Sequence, residues 1–255
     1  MKSKNFLKLF QLKIIILFLL SSNLVYSQTV NIKTYIPPKA FEYRNIIKKE
    51  LDTYFLNIPT YNYIPALAEH ESCISLTHSK CWNSTSKLKS AREEGGGLFQ
   101  VTRTFKEDKS IRFDTLTEMK NKYKEELKEA SWNTIYFKPE IQIRMAILHL
   151  RDDFKRLYNI PNENIRLQFV DAAYNGGLGG VLKERRACGL ANNCNPNIWF
   201  NNVENFCLKN KKPLYGNRSA CTINRHHVYD IWNNRLPKYE KYYFNQEYFK
   251  LGKFK

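Results

Sequence analysis

Apolar residues recur at helical spacing in several stretches of this chain. The clearest apolar face runs through 140–158 and is carried by Ile143, Ile147, Leu150, Phe154 and Leu157. The same spacing predicts helices over 40–55, 63–73, 164–174 and 224–243. Apolar and polar residues do not alternate over any run long enough to indicate a series of strands. The pattern therefore predicts a mainly α fold.

The stretches between these helices are polar or rich in small residues. We expect a loop over 74–94, with at most a short hairpin near the three glycines that follow it. A charged surface helix is predicted over 116–130, and a further helix begins near 181–186. Residues 187–224 hold many Asn, Pro and Gly, which predicts an irregular segment.

The first residues have the composition of a secretory signal. Four lysines precede Ile14–Leu20, an apolar run too short for a membrane span. Cleavage after Ser27 would leave Gln28 as the first mature residue, whereas an uncleaved anchor would use Phe6–Leu20. Cleavage is the favoured interpretation, and it predicts an exported protein of the periplasm or the extracellular space.

All six cysteines lie beyond this leader, which predicts disulfides formed in an oxidising compartment. We favour pairing between sequence neighbours, although the sequence does not choose among the possible pairings. The favoured pairs are Cys73–Cys81, Cys188–Cys194 and Cys207–Cys221. Zinc is the weaker alternative, because no C-x-x-C pair exists and His226 is adjacent to His227 rather than at ligand spacing. We expect no metal and no cofactor.

The formal net charge is +17, and a strongly basic exported chain predicts an anionic partner. Nucleic acid, a lipid surface and the bacterial cell wall all qualify by charge. Nucleic acid is disfavoured, because the aromatic residues are not interleaved with a basic stripe on one element. Much of the charge is spread along a lysine- and asparagine-rich chain, so compositional bias explains part of it.

Glu71 is the best candidate for acid–base chemistry. It ends an apolar helix, where its carboxyl would project into a groove, and a partly buried carboxyl can keep a proton for delivery to a leaving oxygen. Glu69 lies about 200° around the same helix and is expected on the solvated surface. A zinc protease motif starting at His70 would need a second histidine where Ile74 stands.

Two further runs contain groups suited to binding sugars. Gly95–Gln100 combines three glycines, which allow close backbone approach, with the amide of Gln100. Ala173–Gly177 contains Tyr174 and Asn175, whose ring and amide suit a pyranose and its acetamido group. Each run alone is also explained by a glycine turn or a helix C-cap.

Taken in order, Glu71-Ser72, Gly95–Gln100 and Ala173–Gly177 resemble the soluble lytic transglycosylase family. The resemblance covers about 58–181, and Leu236–Tyr239 looks like the family's last helix. It implies a lysozyme-like α+β catalytic domain and cleavage of the β-1,4 bond between N-acetylmuramic acid and N-acetylglucosamine, with a 1,6-anhydro product.

The resemblance also implies residue roles. Glu71 would be the catalytic acid and then the base, and Tyr174 would orient it. Substrate would be bound by Ser72, Gly97, Gln100, Tyr174 and Asn175.

The domain organisation expected on this basis has four parts. A signal peptide over 1–27 precedes an N-terminal helical extension over 28–57. The transglycosylase core spans 58–186. A cysteine-rich segment with a C-terminal helix packed on the core spans 187–255.

Two alternative functions stay open. Ordinary glycosidases use two carboxylates, and Glu94 is a candidate second carboxylate for a muramidase of the lysozyme type. The chain could also be a non-catalytic wall-binding module. Peptidoglycan strands are the expected partner, nucleic acid is not, and a wall-spanning secretion or conjugation apparatus is left open.

Overall fold

The computed structural model describes residues 30–244. From Asn31 onward these residues form one compact unit. The predicted signal peptide and the last eleven residues, 245–255, lie outside the described range. Within residues 30–244, no helix is long and apolar enough to cross a membrane.

The described chain is about half helical, with a small antiparallel sheet, so the fold is mixed α+β. The helices are α1 (Lys39–Glu42), α2 (Arg44–Tyr54), α3 (Tyr63–Ser72), α4 (Thr115–Lys122), α5 (Pro139–Arg156), α6 (Glu163–Gly176), α7 (Leu178–Gly189), α8 (Ala220–Asp230) and α9 (Leu236–Tyr242). Short 3-10 turns lie at Ile135–Phe137 and Val203–Asn205, and the π-helical turn Ile231–Arg235 joins α8 to α9. The helix predicted over 40–55 is interrupted at Tyr43, and the one predicted over 224–243 contains the π-helical turn.

The main core surrounds α3, whose residues Tyr63 to Glu69 are buried. Ile47 and Leu51 of α2 belong to this core, and α2 packs on α5. Helix α6 packs on α5, α7 and α8. The residues predicted as an N-terminal extension therefore contribute side chains to the same core as the central helices.

The sheet corrects the prediction of a loop with at most one hairpin. Strands β1 (Lys87–Lys89), β2 (Glu93–Gly96), β3 (Val101–Phe105) and β4 (Ile111–Asp114) form an antiparallel meander in that order, with Gly95 opposite both Leu88 and Thr102. These strands are three to five residues long and include glycines and charges. They therefore lack the alternation by which strands are recognised.

The helix predicted over 116–130 is also shorter than expected. Helix α4 ends at Lys122, and a bend and turns continue to Glu129. Leu116, Met119 and Leu127 are buried in a second core with Val101 of the sheet and Met145 of α5. This stretch therefore joins the sheet to α5 and is not a solvated surface helix.

Disulfide bonding is confirmed, and each bond joins sequence neighbours. The bonds are Cys73–Cys81, Cys188–Cys194 and Cys207–Cys221. The first closes the loop that leaves α3, and the third ties the segment before α8 to the first turn of that helix. Within the predicted irregular segment, β5 (Pro213–Tyr215) and β6 (Arg218–Ser219) form a hairpin, and α8 already begins at Ala220.

Glu69 was expected on the solvated surface, and that prediction is wrong. Its side chain is fully buried. Oε1 lies 2.8 Å from Arg235 Nη1 and 2.6 Å from Lys238 Nζ. Oε2 accepts a 2.7 Å hydrogen bond from the hydroxyl of Tyr239. These partners come from the chain after α8, more than 160 positions away, so the local helix pattern did not reveal them.

Candidate active site

Glu71 lies in the last turn of α3, as the sequence predicts. The helix ends at Ser72, and Cys73 adopts an extended conformation and begins the disulfide-closed loop. The side chain of Glu71 keeps 15% of its exposure, whereas the side chain of Glu69 keeps none. The carboxyl therefore reaches the surface of a cleft at the end of an otherwise buried helix.

The cleft has a volume of about 440 Å³. It brings together four of the residues singled out from the sequence, namely Glu71, Gln100, Tyr174 and Asn175. They come from α3, the turn between β2 and β3, and the end of α6. Residues that the sequence analysis did not single out also line it, among them Phe113, Glu118, Met145 and His149.

Ser72 and Gly97, both predicted to bind substrate, are not among the residues lining this cleft. The hydroxyl of Ser72 donates to Ala68 O at 2.7 Å and accepts from the backbone N–H of Trp82 at 3.2 Å. Gly97 has a φ of +74°, and a Cβ there would lie 2.4 Å from Gln142 Oε1. Both residues are thus engaged by contacts inside the protein.

Gln142 of α5 fixes the segment on which Gln100 lies. Its Oε1 accepts from the backbone N–H of Leu98 at 2.8 Å, and its Nε2 donates to Ser84 O and Ile135 O. Gln100 has a φ of +47°, and its Nε2 donates to Gly97 O at 3.3 Å. This tight turn places Gln100 on the cleft wall.

Tyr174 was expected to orient Glu71, and the hydrogen bonding corrects that expectation. Its hydroxyl donates to Phe99 O at 2.8 Å, and a phenol has only one proton to donate. Burial, followed by the charges of Glu71 and Asp171, raises the pKa of Tyr174 well above its usual value. Tyr174 therefore joins α6 to the segment after β2 and stays un-ionised beside Glu71.

The side chain that contacts Glu71 is His227 of α8. Its Nε2 lies 2.8 Å from Glu71 Oε1. On the other side of the ring, Nδ1 lies 3.2 Å from Asp171 Oδ1, as an ion pair whose angle falls outside good hydrogen-bond geometry. Asp171 is fully buried, and it accepts hydrogen bonds from Tyr63 Oη at 2.9 Å and Trp232 Nε1 at 3.1 Å.

Sequence reasoning missed this group, considering His227 only as a zinc ligand. The available signal was Asp171, a charged residue at the centre of the apolar run Phe169–Ala173. A buried carboxylate requires a partner, but no local pattern identifies a histidine 56 positions further along the chain. Among residues 30–244, no group of histidine, cysteine, aspartate and glutamate side chains is arranged to hold a metal ion.

Glu94, the candidate second carboxylate, is paired elsewhere. Its Oε2 accepts hydrogen bonds from Arg103 Nη2 at 2.6 Å and Nε at 3.1 Å across the β2–β3 pair. The guanidinium also lies over the ring of Trp132. Glu94 does not line the cleft, whereas Glu118 of α4 does and has an exposed side chain.

Asn175, at the cleft edge, is held by the C-terminal part of the chain. Its Oδ1 accepts a 3.1 Å hydrogen bond from Asn224 Nδ2, which also donates to Ala172 O. Asn224 Oδ1 in turn accepts from Arg225, which pairs with the buried Glu184. Helix α8 thus supports both Asn175 and Glu71 from behind the cleft.

No protein-family model and no curated protein matches this chain.

Proposed function

We propose that this protein is an exported peptidoglycan lytic transglycosylase with a lysozyme-like catalytic domain. The observation that carries the proposal is the cleft in which Glu71 lies beside Gln100, Tyr174 and Asn175. A carboxyl surrounded by groups that hydrogen-bond and stack on sugars is suited to glycosidic cleavage. The three disulfides support export, because such bonds persist in oxidising compartments.

In this mechanism Glu71 performs both proton transfers. Its carboxyl gives a proton to the oxygen between N-acetylmuramic acid and N-acetylglucosamine as the bond from that oxygen to C1 breaks. The carboxylate then removes the proton of the C6 hydroxyl of the same muramic acid. That hydroxyl oxygen bonds to C1 and closes the 1,6-anhydro ring. The proton returns to Glu71, and no water is consumed.

A muramidase is the second candidate, and one observation favours it. Glu118 lines the same cleft as Glu71, is exposed, and is a more suitable second carboxylate than the ion-paired Glu94. Hydrolysis would use a water activated by this carboxylate and would leave reducing ends in place of anhydro ends.

Product analysis tests the proposal. Purified protein is incubated with peptidoglycan, and the released muropeptides are examined by mass spectrometry. We expect 1,6-anhydro-muropeptides, and loss of at least about 100-fold of the activity in Glu71→Gln, since general acid–base catalysis contributes that much. The matched control is Glu163→Gln, an exposed glutamate of α6 that does not line the cleft.

Each contrary result has a defined meaning. Products with reducing ends would show that the protein acts as a muramidase and not as a transglycosylase. A folded Glu71→Gln variant that clears cell walls as fast as the parent would remove the catalytic assignment of Glu71. Folded parent protein that binds walls and releases no muropeptides would leave the non-catalytic wall-binding module.

A further inference from the structure

The carboxyl of Glu71 is the outer end of a row of three side chains. The other two, His227 and Asp171, are buried and have no role in the mechanism proposed above. His227 lies between two carboxylates, with Nε2 2.8 Å from Glu71 Oε1 and Nδ1 3.2 Å from Asp171 Oδ1. The side chain of His227 is 2% exposed and that of Asp171 is fully buried. This row of side chains runs from the cleft into the core.

Between two ionised carboxylates this geometry favours a protonated ring. A neutral imidazole carries one N–H, so it would direct a lone pair at one of the two carboxylates. Burial alone lowers the pKa of His227, but the charge of Asp171, together with the hydrogen bond and charge of Glu71, outweighs burial and raises the pKa to about 10. The ring is therefore an imidazolium at neutral pH.

The other groups around the ring do not supply a competing charge. His70 of α3 packs edge-on against His227, with ring centroids 4.4 Å apart. Burial lowers the pKa of His70 despite its 2.7 Å contact with Asp230, so it is neutral at neutral pH. Tyr63 donates to Asp171 and stays un-ionised. Asp230 is satisfied by His70 and by Arg235, 2.5 Å away.

We propose that His227, held by Asp171, is a positioning residue that stabilises the carboxylate left on Glu71 after its proton passes to the glycosidic oxygen. This inference rests on the proposed function. An imidazolium in contact with the carboxylate stabilises the negative charge that forms there and fixes Oε1, which leaves the other oxygen for the sugar.

The same contact ties the rate of proton transfer to the charge of His227. Loss of the cation removes the charge that stabilises the carboxylate as it forms, so the chemical step slows. His227 does not line the cleft, so substrate binding is expected to stay the same.

His227→Gln tests this, because glutamine keeps a donor for Glu71 and loses the charge. We expect kcat to fall about tenfold while KM stays within about twofold. The matched control is His226→Gln, an exposed neighbour on the same helix, which should keep the kcat and KM of the parent.

A folded His227→Gln variant with the kcat and KM of the parent would overturn the inference. So would a loss that appears in KM with kcat unchanged, because that is the result expected of a merely structural contact that distorts the cleft.

A second measurement uses the parent protein without substrate, so it does not depend on whether the variant folds. Nitrogen NMR of the parent, labelled in its histidine rings, should show both ring nitrogens of His227 protonated from about pH 5 to 8. A neutral ring at pH 7 would overturn the inference. This titration needs no enzymatic activity, so it tests the inference about His227 alone. Failure of the proposed function is detected separately, by the activity of Glu71→Gln.

Discussion

Two glutamates on α3, two positions apart, have opposite environments. Glu71 reaches the cleft, whereas Glu69 is fully buried against Arg235, Lys238 and Tyr239. Lys238 is itself only 1% exposed, and burial lowers its pKa although Glu69 opposes that effect. The Glu69 carboxylate is thus the counter-charge for two cations of the C-terminal part of the chain.

Removing that counter-charge should destabilise the fold. In Glu69→Gln the shape is kept but Lys238 and Arg235 lose their shared carboxylate, and breaking a buried pair from one side costs about 3–5 kcal/mol. Urea unfolding followed by circular dichroism measures the loss.

The control for this variant is Glu163→Gln, whose partner Arg166 is 3.8 Å away and whose side chain is 59% exposed. It should change the free energy of unfolding by less than about 0.5 kcal/mol. Equal, small effects of the two substitutions would show that Glu69 is not a structural ion-pair centre.

At the scale of elements, the helices were predictable and the sheet was not. Helices α5 and α6 follow directly from apolar spacing, and the placement of Glu71 at the end of α3 follows from its neighbours. The strands were missed because their stability comes from pairing across the sheet and from Gln142, not from a local pattern. His227 was missed because its partners are brought to it by the packing of α8 on α6 and of the following turn on α3.

The glycine segment shows how the elements fix the cleft wall. In Gly97→Ala the new Cβ would lie 2.4 Å from Gln142 Oε1, whose hydrogen bond to Leu98 would have to break. Gly177→Ala is the matched control, because its φ of +80° is similarly unsuited to alanine but no atom lies within 4 Å of the Cβ. We expect Gly97→Ala to lose about 1–3 kcal/mol more stability than the control, since it leaves buried polar groups unpaired.

Thermal and urea unfolding of the two variants give this difference. A loss at Gly97 no larger than the loss at Gly177 would mean that the strained backbone, and not the contact with Gln142, requires glycine in this turn.

At the scale of the whole molecule, the charge of +17 bears on the partner. Carboxylates within the wall offer an anionic surface, and a basic protein is concentrated on such a surface by long-range attraction. That attraction is screened as salt rises, because the Debye length falls from about 10 Å at 0.1 M to about 3 Å at 1 M. The proposed function therefore predicts a strong dependence of wall binding on ionic strength.

This dependence can be separated from effects on the chemistry. The Glu71→Gln variant should sediment with purified cell walls in low salt and be released by about 1 M salt, without digesting them. Parent protein acting on a soluble, uncharged oligomer of N-acetylglucosamine and N-acetylmuramic acid, without peptides and with the lactyl carboxyls converted to amides, should show little change over the same range, because the contacts of Gln100, Tyr174 and Asn175 in the cleft are short-range. Wall binding that is insensitive to salt would mean that the basic composition does not recruit the protein to its substrate. If salt lowered activity on the uncharged oligomer as much as it lowered wall binding, its effect would lie in the cleft, beside the charges of Glu71, His227 and Asp171.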